Sequence, residues 1–158
     1  MDLKNFAKLL ACILIPFIAA FVGSVFTFPA IASWYVSLNK PFFSPPNWVF
    51  APAWAILYFL MGISLYLVLQ KSSETKKAEK GIFIFASQLS LNVLWSIVFF
   101  GLQNPLCAFV EIAFLWFFVG LTVKEFFKIS KKAAWLLVPY WIWVSFATIL
   151  NLSIVLLN

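Results

Sequence analysis

The sequence predicts an all-α membrane protein, a bundle of five transmembrane helices with a structured first loop acting as a lid. Three observations carry that expectation. Of the 158 residues, 65% are hydrophobic and 10% charged, with a mean hydropathy of +1.03, which is too little charge to cover a soluble domain of this length. Apolar runs long enough to span a bilayer recur at about 6–28, 49–70, 81–101, 105–127 and 133–157. The lysines divide unevenly between the two ends of those runs. Lys4, Lys8, Lys71, Lys76, Lys77, Lys80, Lys124, Lys128, Lys131 and Lys132 share one side, and Lys40 stands alone on the other. By the positive-inside rule the N-terminus is cytoplasmic and the C-terminus and lid are outside, as for a multi-pass protein of a prokaryotic cell membrane.

Lys4 and Lys8 open the first run, FAKLLACILIPFIAAFVGSVFTF. With Ala30 and Ala32 behind it, this imitates a cleavable signal peptide, but the run exceeds a signal h-region and a retained helix is expected. Pro16 should kink it, and the small-xxx-small pairs Ala19/Gly23 and Ala20/Ser24 let another helix approach. Residues 29–48 interrupt the pattern. Pro41, Pro45 and Pro46 lock the backbone, yet Trp34, Tyr35, Phe42, Phe43 and Trp48 make the stretch too aromatic for a solvated linker. It reads either as a rigid interfacial lid or as an anchor holding helix ends at the headgroups.

In the second run Pro52 is expected within the first helical turn, and Trp54, Tyr58, Met61 and Leu65 share a face. The segment 70–80, QKSSETKKAEK, is a polar loop. The third run places Gln88, Asn92, Trp95, Phe99 and Gln103 on one face, and amides facing lipid would go unsatisfied. That face therefore points inward, lining a cavity or forming interhelical hydrogen bonds. The fourth run begins at Pro105 and contains Glu111, the only acid well inside a run. It is either a functional group or a residue near enough to the interface to reach water. In the fifth run Pro139 bends the helix, and Tyr140, Trp143, Ala147 and Asn151 share a face like that of the third, with Ala147 leaving room for a bound ring.

The remaining totals exclude several functions. The net charge of +6 comes from lysines between apolar runs, so it reports topology and anionic lipid, and no nucleic acid partner is expected. Histidine is absent, which removes the usual zinc and haem ligand, and no metal site is expected. Cys12 and Cys107 lie in apolar runs without CxxC spacing. No phosphate-binding glycine loop and no nucleophile–base–acid set is present.

The motifs WYxxLxKPxxxPP (34–46), PxWxxLY (52–58), LNxxW (91–95) and LLxPYxxWxxFAxxLN (136–151) resemble the translocator protein family, also called tryptophan-rich sensory proteins or peripheral-type benzodiazepine receptors. The resemblance covers nearly the whole chain in order. It implies a single five-helix domain, usually a homodimer, with a pocket under the first loop. Such proteins bind porphyrins (protoporphyrin IX, haem), isoquinoline and benzodiazepine drugs and, in animals, cholesterol, with no obligatory cofactor. Some bacterial members are reported to degrade porphyrin in light. Carried over by matching position, the resemblance assigns Tyr35, Trp54, Asn92, Trp95, Trp143 and Ala147 to the pocket. There are two departures. Phe43 stands where the family's KPxW has tryptophan, and no Tyr followed by Lys or Arg comes after Asn151, so the cholesterol pattern is missing there.

Residues and resemblance together give a candidate ligand-binding set of Tyr35, Trp54, Tyr58, Gln88, Asn92, Trp95, Phe99, Glu111, Tyr140, Trp143, Ala147 and Asn151. Trp34, Lys40, Pro41, Pro45 and Pro46 form the lid. Three functions compete: a receptor or transporter of planar tetrapyrroles, a light-dependent porphyrin-degrading enzyme with Trp54 and Trp143 as candidate electron donors, and a membrane scaffold without its own ligand.

Overall fold

The computed structural model describes residues 2–71 and 76–158, and they are helical apart from short connections. Helix α1 is Leu3–Ala32, α2 is the short Trp34–Ser37 and α3 is Asn47–Lys71. Helix α4, Lys76–Ser96, runs into a π-helical turn at Ile97–Gly101, and α5 (Pro105–Phe127) and α6 (Lys131–Leu157) follow. Five of these helices are long and apolar enough to cross a membrane, as the sequence predicts.

The helix ends have local causes. Asn104 accepts a hydrogen bond from the Cys107 amide at 3.0 Å with Pro105 in the first position, so the start of α5 is capped where a missing N–H matters least. Ser130 caps α6 through the Ala133 amide. Lys71 and Lys124 lie in the last turns of α3 and α5, beside carbonyls that carry partial negative charge.

Four expectations need adjusting. Helix α1 continues through Pro29 to Ala32, so the first residues of the 29–48 segment are helical; Pro29 removes one N–H without ending the helix. Pro52 lies beyond the first turn of α3, because that helix already starts at Asn47. Gln103 does not continue the inward face of α4. The π-helical turn ends the helix at Gly101, and Gln103 takes a left-handed φ of 51° and is exposed. In the expected loop 70–80, α3 extends through Lys71 and α4 begins at Lys76, while residues 72–75 lie outside the described ones.

Around the bundle the neighbours run α1, α3, α6, α5, α4 and back to α1. Within lipid, apolar burial gives little drive for helix association, so close packing and interhelical hydrogen bonds must hold the ring together. Gly62 lets α3 touch α1: a Cβ there would lie 2.6 Å from the Ile13 Cα. Ser64 donates to the Ala133 carbonyl at 2.8 Å, joining α3 to α6. Phe85 stacks on Phe126 between α4 and α5, and Trp116 donates to Ser145 at 2.7 Å between α5 and α6. At the end of the bundle away from the lid, Glu125 pairs with Lys128 at 2.7 Å and Lys80 at 3.7 Å.

Candidate functional site: an aromatic cavity beneath the lid

The half of the bundle nearer α2 encloses a cavity of about 530 Å³. It brings together Tyr35, Trp54, Tyr58, Asn92, Trp95, Phe99, Trp143, Ala147 and Asn151 from the candidate set. Helical spacing explains the convergence: Trp54 and Tyr58 on α3, Asn92, Trp95 and Phe99 on α4, and Trp143, Ala147 and Asn151 on α6 each recur on one helix face.

The floor is a buried chain of hydrogen bonds. Tyr58 donates to Asn92 Oδ1 at 2.6 Å, Asn92 Nδ2 donates to the Tyr140 oxygen at 3.1 Å, and Tyr140 donates to Gln88 Oε1 at 3.0 Å. In a medium of low dielectric each bond fixes the next, so Asn92 presents a set orientation to the cavity. Gln88 and Tyr140 are not cavity-lining residues; they sit beneath Asn92 and hold it. Across the cavity Trp95 donates its indole N–H to Asn151 Oδ1 at 3.1 Å, and Asn151 Nδ2 donates to the Pro105 carbonyl at 2.8 Å.

The walls are aromatic. Trp54 stacks on Tyr58 with centroids 5.3 Å apart, and meets Trp143 edge-on at 6.5 Å and Tyr140 at 6.1 Å. On the α4 wall Trp95 stacks on Phe99 at 5.0 Å. Between these stacks Ala147 supplies no ring, and the space it leaves belongs to the cavity.

The lid is tied down at several points. Trp34 meets Phe99 edge-on at 5.5 Å, and Tyr35 tilts against Phe99 and Phe100. Burial pushes the Tyr35 phenol above its ordinary range. Lys40 lies over the Tyr35 ring at 4.8 Å. Beside it, the Asn39 amide donates to Asn158 Oδ1 at 2.9 Å, Asn39 Nδ2 donates to the Leu157 carbonyl, and Asn158 Nδ2 returns a bond to the Asn39 carbonyl at 3.0 Å. Phe43, at the departure from KPxW, packs on Phe146 of α6, while Phe42 is fully exposed and meets only the edge of the Phe43 ring among the described aromatic contacts. Trp34, Lys40, Pro41, Pro45 and Pro46 shape this cover without lining the cavity.

Glu111 lies elsewhere. It is 8% exposed, and neither carboxylate oxygen has a hydrogen-bond partner among the described residues, so it does not reach water at an interface. The bonds from Asn151 to Pro105 and from Trp116 to Ser145 fix the α5–α6 register and set Glu111 near the level of Ala147. It is not among the lining residues and stands behind the wall.

Sequence reasoning missed the α1 wall, made of Phe17, Ala20, Gly23, Ser24, Thr27, Phe28 and Ile31. The pair Ala20/Ser24, which suggests a helix contact, faces the cavity; Gly23 makes the close approach, with a Cβ there 3.1 Å from Ser96 Oγ. Among the described residues no group of three His, Cys, Asp or Glu could hold a metal ion.

Residues 12–157 match the model of the TspO/MBR family. The chain is 46% identical to the tryptophan-rich protein TspO of Chlorobaculum tepidum, over 98% of both chains. It is 47% identical to the protein of the same name from Archaeoglobus fulgidus, over 98% of this chain and 99% of that one. To the human translocator protein it is 37% identical, over 87% of this chain and 82% of the other.

Proposed function

Because the chain belongs to the TspO/MBR family, we propose that it is a membrane receptor or transporter for planar tetrapyrroles such as protoporphyrin IX or haem, held in the cavity beneath the lid. The observation that carries this reading is the pair of aromatic stacks, Trp54 on Tyr58 and Trp95 on Phe99, flanking a space whose polar lining includes the amides of Asn92 and Asn151. A flat macrocycle offers ring faces for the indoles and a polar rim for the amides. The volume is within the range of about 300–1,000 Å³ typical of small-molecule sites, and the same surfaces suit isoquinoline and benzodiazepine drugs. The porphyrin is a ligand and no cofactor is required. The protein works as a homodimer in the bilayer, with no nucleic acid partner.

Quenching of tryptophan fluorescence by protoporphyrin IX in the dark is the test. Saturable quenching that is lost on adding an isoquinoline competitor is the expected result. No dark quenching at saturating porphyrin would favour a scaffold without its own ligand.

A second reading, light-dependent porphyrin degradation, is favoured by the contiguity of oxidisable rings, since Trp54 lies 5.3 Å from Tyr58 and 6.5 Å from Trp143. An excited porphyrin beside them could draw an electron from an indole. Trp54→Phe and Trp143→Phe keep a ring surface and should bind protoporphyrin IX within about tenfold of the parent, about 1.4 kcal/mol. If degradation occurs, both lose it. Undiminished bleaching of the porphyrin spectrum in the double variant would sink the indole-donor mechanism.

A further inference from the structure

We infer that the cavity is loaded sideways from the bilayer through the seam between α1 and α3, rather than from water under the lid, so its ligands are molecules that first partition into hydrocarbon. The inference rests on the binding reading above for what enters, and on the geometry of the seam for how.

Helices α1 and α3 are antiparallel and joined along the half away from the lid, where Lys8 donates to the Leu69 carbonyl and Gln70 to Asn5. They touch where Gly62 meets Ile13, and Phe17 leans on Tyr58 with centroids 6.3 Å apart. Toward the lid that register would pair Ser24 with Ala51 and Phe28 with Trp48. All four line the cavity instead of closing it off. Phe28 is 68% exposed and Trp48 74%, and Ala51 and Ala55 are exposed as well, so on this side the cavity wall is also the outer surface of the bundle. At the depth of a membrane-spanning segment that surface meets lipid.

The other seams around the cavity are shut. Trp54 and Phe50 meet Trp143 across α3 and α6, Trp95 bonds Asn151 across α4 and α6, and Gly23 abuts Ser96 across α1 and α4. The lid is shut too, through the reciprocal bonds of Asn39 and Asn158 and the Tyr35 contacts. Opening it breaks several hydrogen bonds and uncovers a buried tyrosine, whereas among the described residues no hydrogen bond joins the lid-side half of α1 to that of α3, and the bonds of Lys8 and Gln70 lie at the far end. Small Ala51 and Ala55 set the width of that mouth, and the Trp48 and Phe28 rings stand at its rim.

The test locks each route in turn, in lipid nanodiscs. In a Cys107→Ser background, Asn39→Cys with Asn158→Cys places two thiols where the residues are already hydrogen-bonded, and oxidation fastens the lid. Ala51→Phe narrows the mouth. Stopped-flow quenching by protoporphyrin IX should give association rates within about twofold for the oxidised and reduced lid. It should be slowed at least about fivefold by Ala51→Phe, with dissociation slowed in proportion. A tenfold fall on oxidation that a reductant restores would overturn the inference, and so would unaltered rates in Ala51→Phe.

If the parent does not bind porphyrin, the functional reading fails but the route is still measurable. With every tryptophan except Trp54 changed to Phe, a nitroxide on the acyl chain of the surrounding phosphatidylcholine should quench Trp54, and Ala51→Phe should reduce that quenching by half or more. A Trp54 untouched by the lipid nitroxide would exclude the lateral opening.

Discussion

Ala147 is small where Trp95, Phe99 and Trp143 around it are large, and the space it leaves is part of the cavity. Ala147→Leu adds carbon where a ligand ring would lie, so affinity for protoporphyrin IX should fall about tenfold or more while the melting temperature stays within a few degrees. Equal loss of every ligand together with a large drop in melting temperature would identify a packing site instead. Glu111 presents the opposite case, a polar group with nothing to hold it. Both oxygens are buried and unpartnered among the described residues, and burying a carboxyl without partners costs free energy that an apolar side chain of similar size does not. Since Glu111 stands behind the cavity wall, Glu111→Leu should raise the melting temperature and leave porphyrin affinity within about twofold. A loss of stability in that variant would reveal a partner for the carboxyl, such as a bound water or a neighbouring protomer. Asn92 and Asn151 show why matching amides on two helices carried meaning in the sequence. Each is buried, each is bonded by an aromatic donor, and both present polar atoms to one space.

Among the elements, α4 and α6 were legible and α1 was not. An amide or tyrosine on an apolar helix has to find a partner inside the bundle, so Asn92, Tyr140 and Asn151 marked the inward faces. From Leu9 to Gly23 the side chains of α1 are apolar on every face, and a phenylalanine toward lipid looks the same in sequence as one toward a cavity. Phe17 and Phe28 were invisible for that reason. The depth of Glu111 was ambiguous for another, because position along a helix does not say which neighbours surround it. The elements also differ in what they tolerate. At Gly62 an added Cβ would meet the Ile13 backbone at 2.6 Å and the Cys12 carbonyl at 3.0 Å, and neither can give way without moving α1. Gly62→Ala should therefore cost about 1–3 kcal/mol of stability, read as a lower melting temperature in detergent. Gly101→Ala meets the Phe26 ring at 2.9 Å, a side chain that can turn aside, and should cost less. Equal losses at both positions would mean that the α1–α3 contact is not the tight one.

At the scale of the molecule, the five-helix bundle was readable from hydropathy alone, since an isolated helix in lipid must satisfy its own backbone and leaves few other architectures. The placement of the ring, with α1 beside both α3 and α4 and a cavity open on one seam, depends on packing that no periodicity records. Charge adds a direction to this architecture. Lys4, Lys8, Lys71, Lys80, Lys124, Lys128, Lys131 and Lys132 belong to the end of the bundle where α3 and α5 finish and α4 and α6 begin, and Lys40 belongs to the lid end. Insertion retains lysine-rich segments on the cytoplasmic side, because moving each charge across the hydrocarbon is costly. The lid and the mouth of the cavity would then lie in the outer half of the membrane. A phosphatase reporter fused after Asn158 should be active and a fluorescent protein that folds only in the cytoplasm should be dark. The reverse pattern would turn the bundle over and put the cavity in the cytoplasmic half. It would also show that lysine bias does not orient this chain. A graded test uses the same fusions. Replacing Lys128, Lys131 and Lys132 with glutamine while adding three lysines beside Lys40 weakens the asymmetry from both ends, and the phosphatase signal should fall as a mixed population appears. A signal unchanged by that exchange would assign the orientation to the helices themselves rather than to the charges between them.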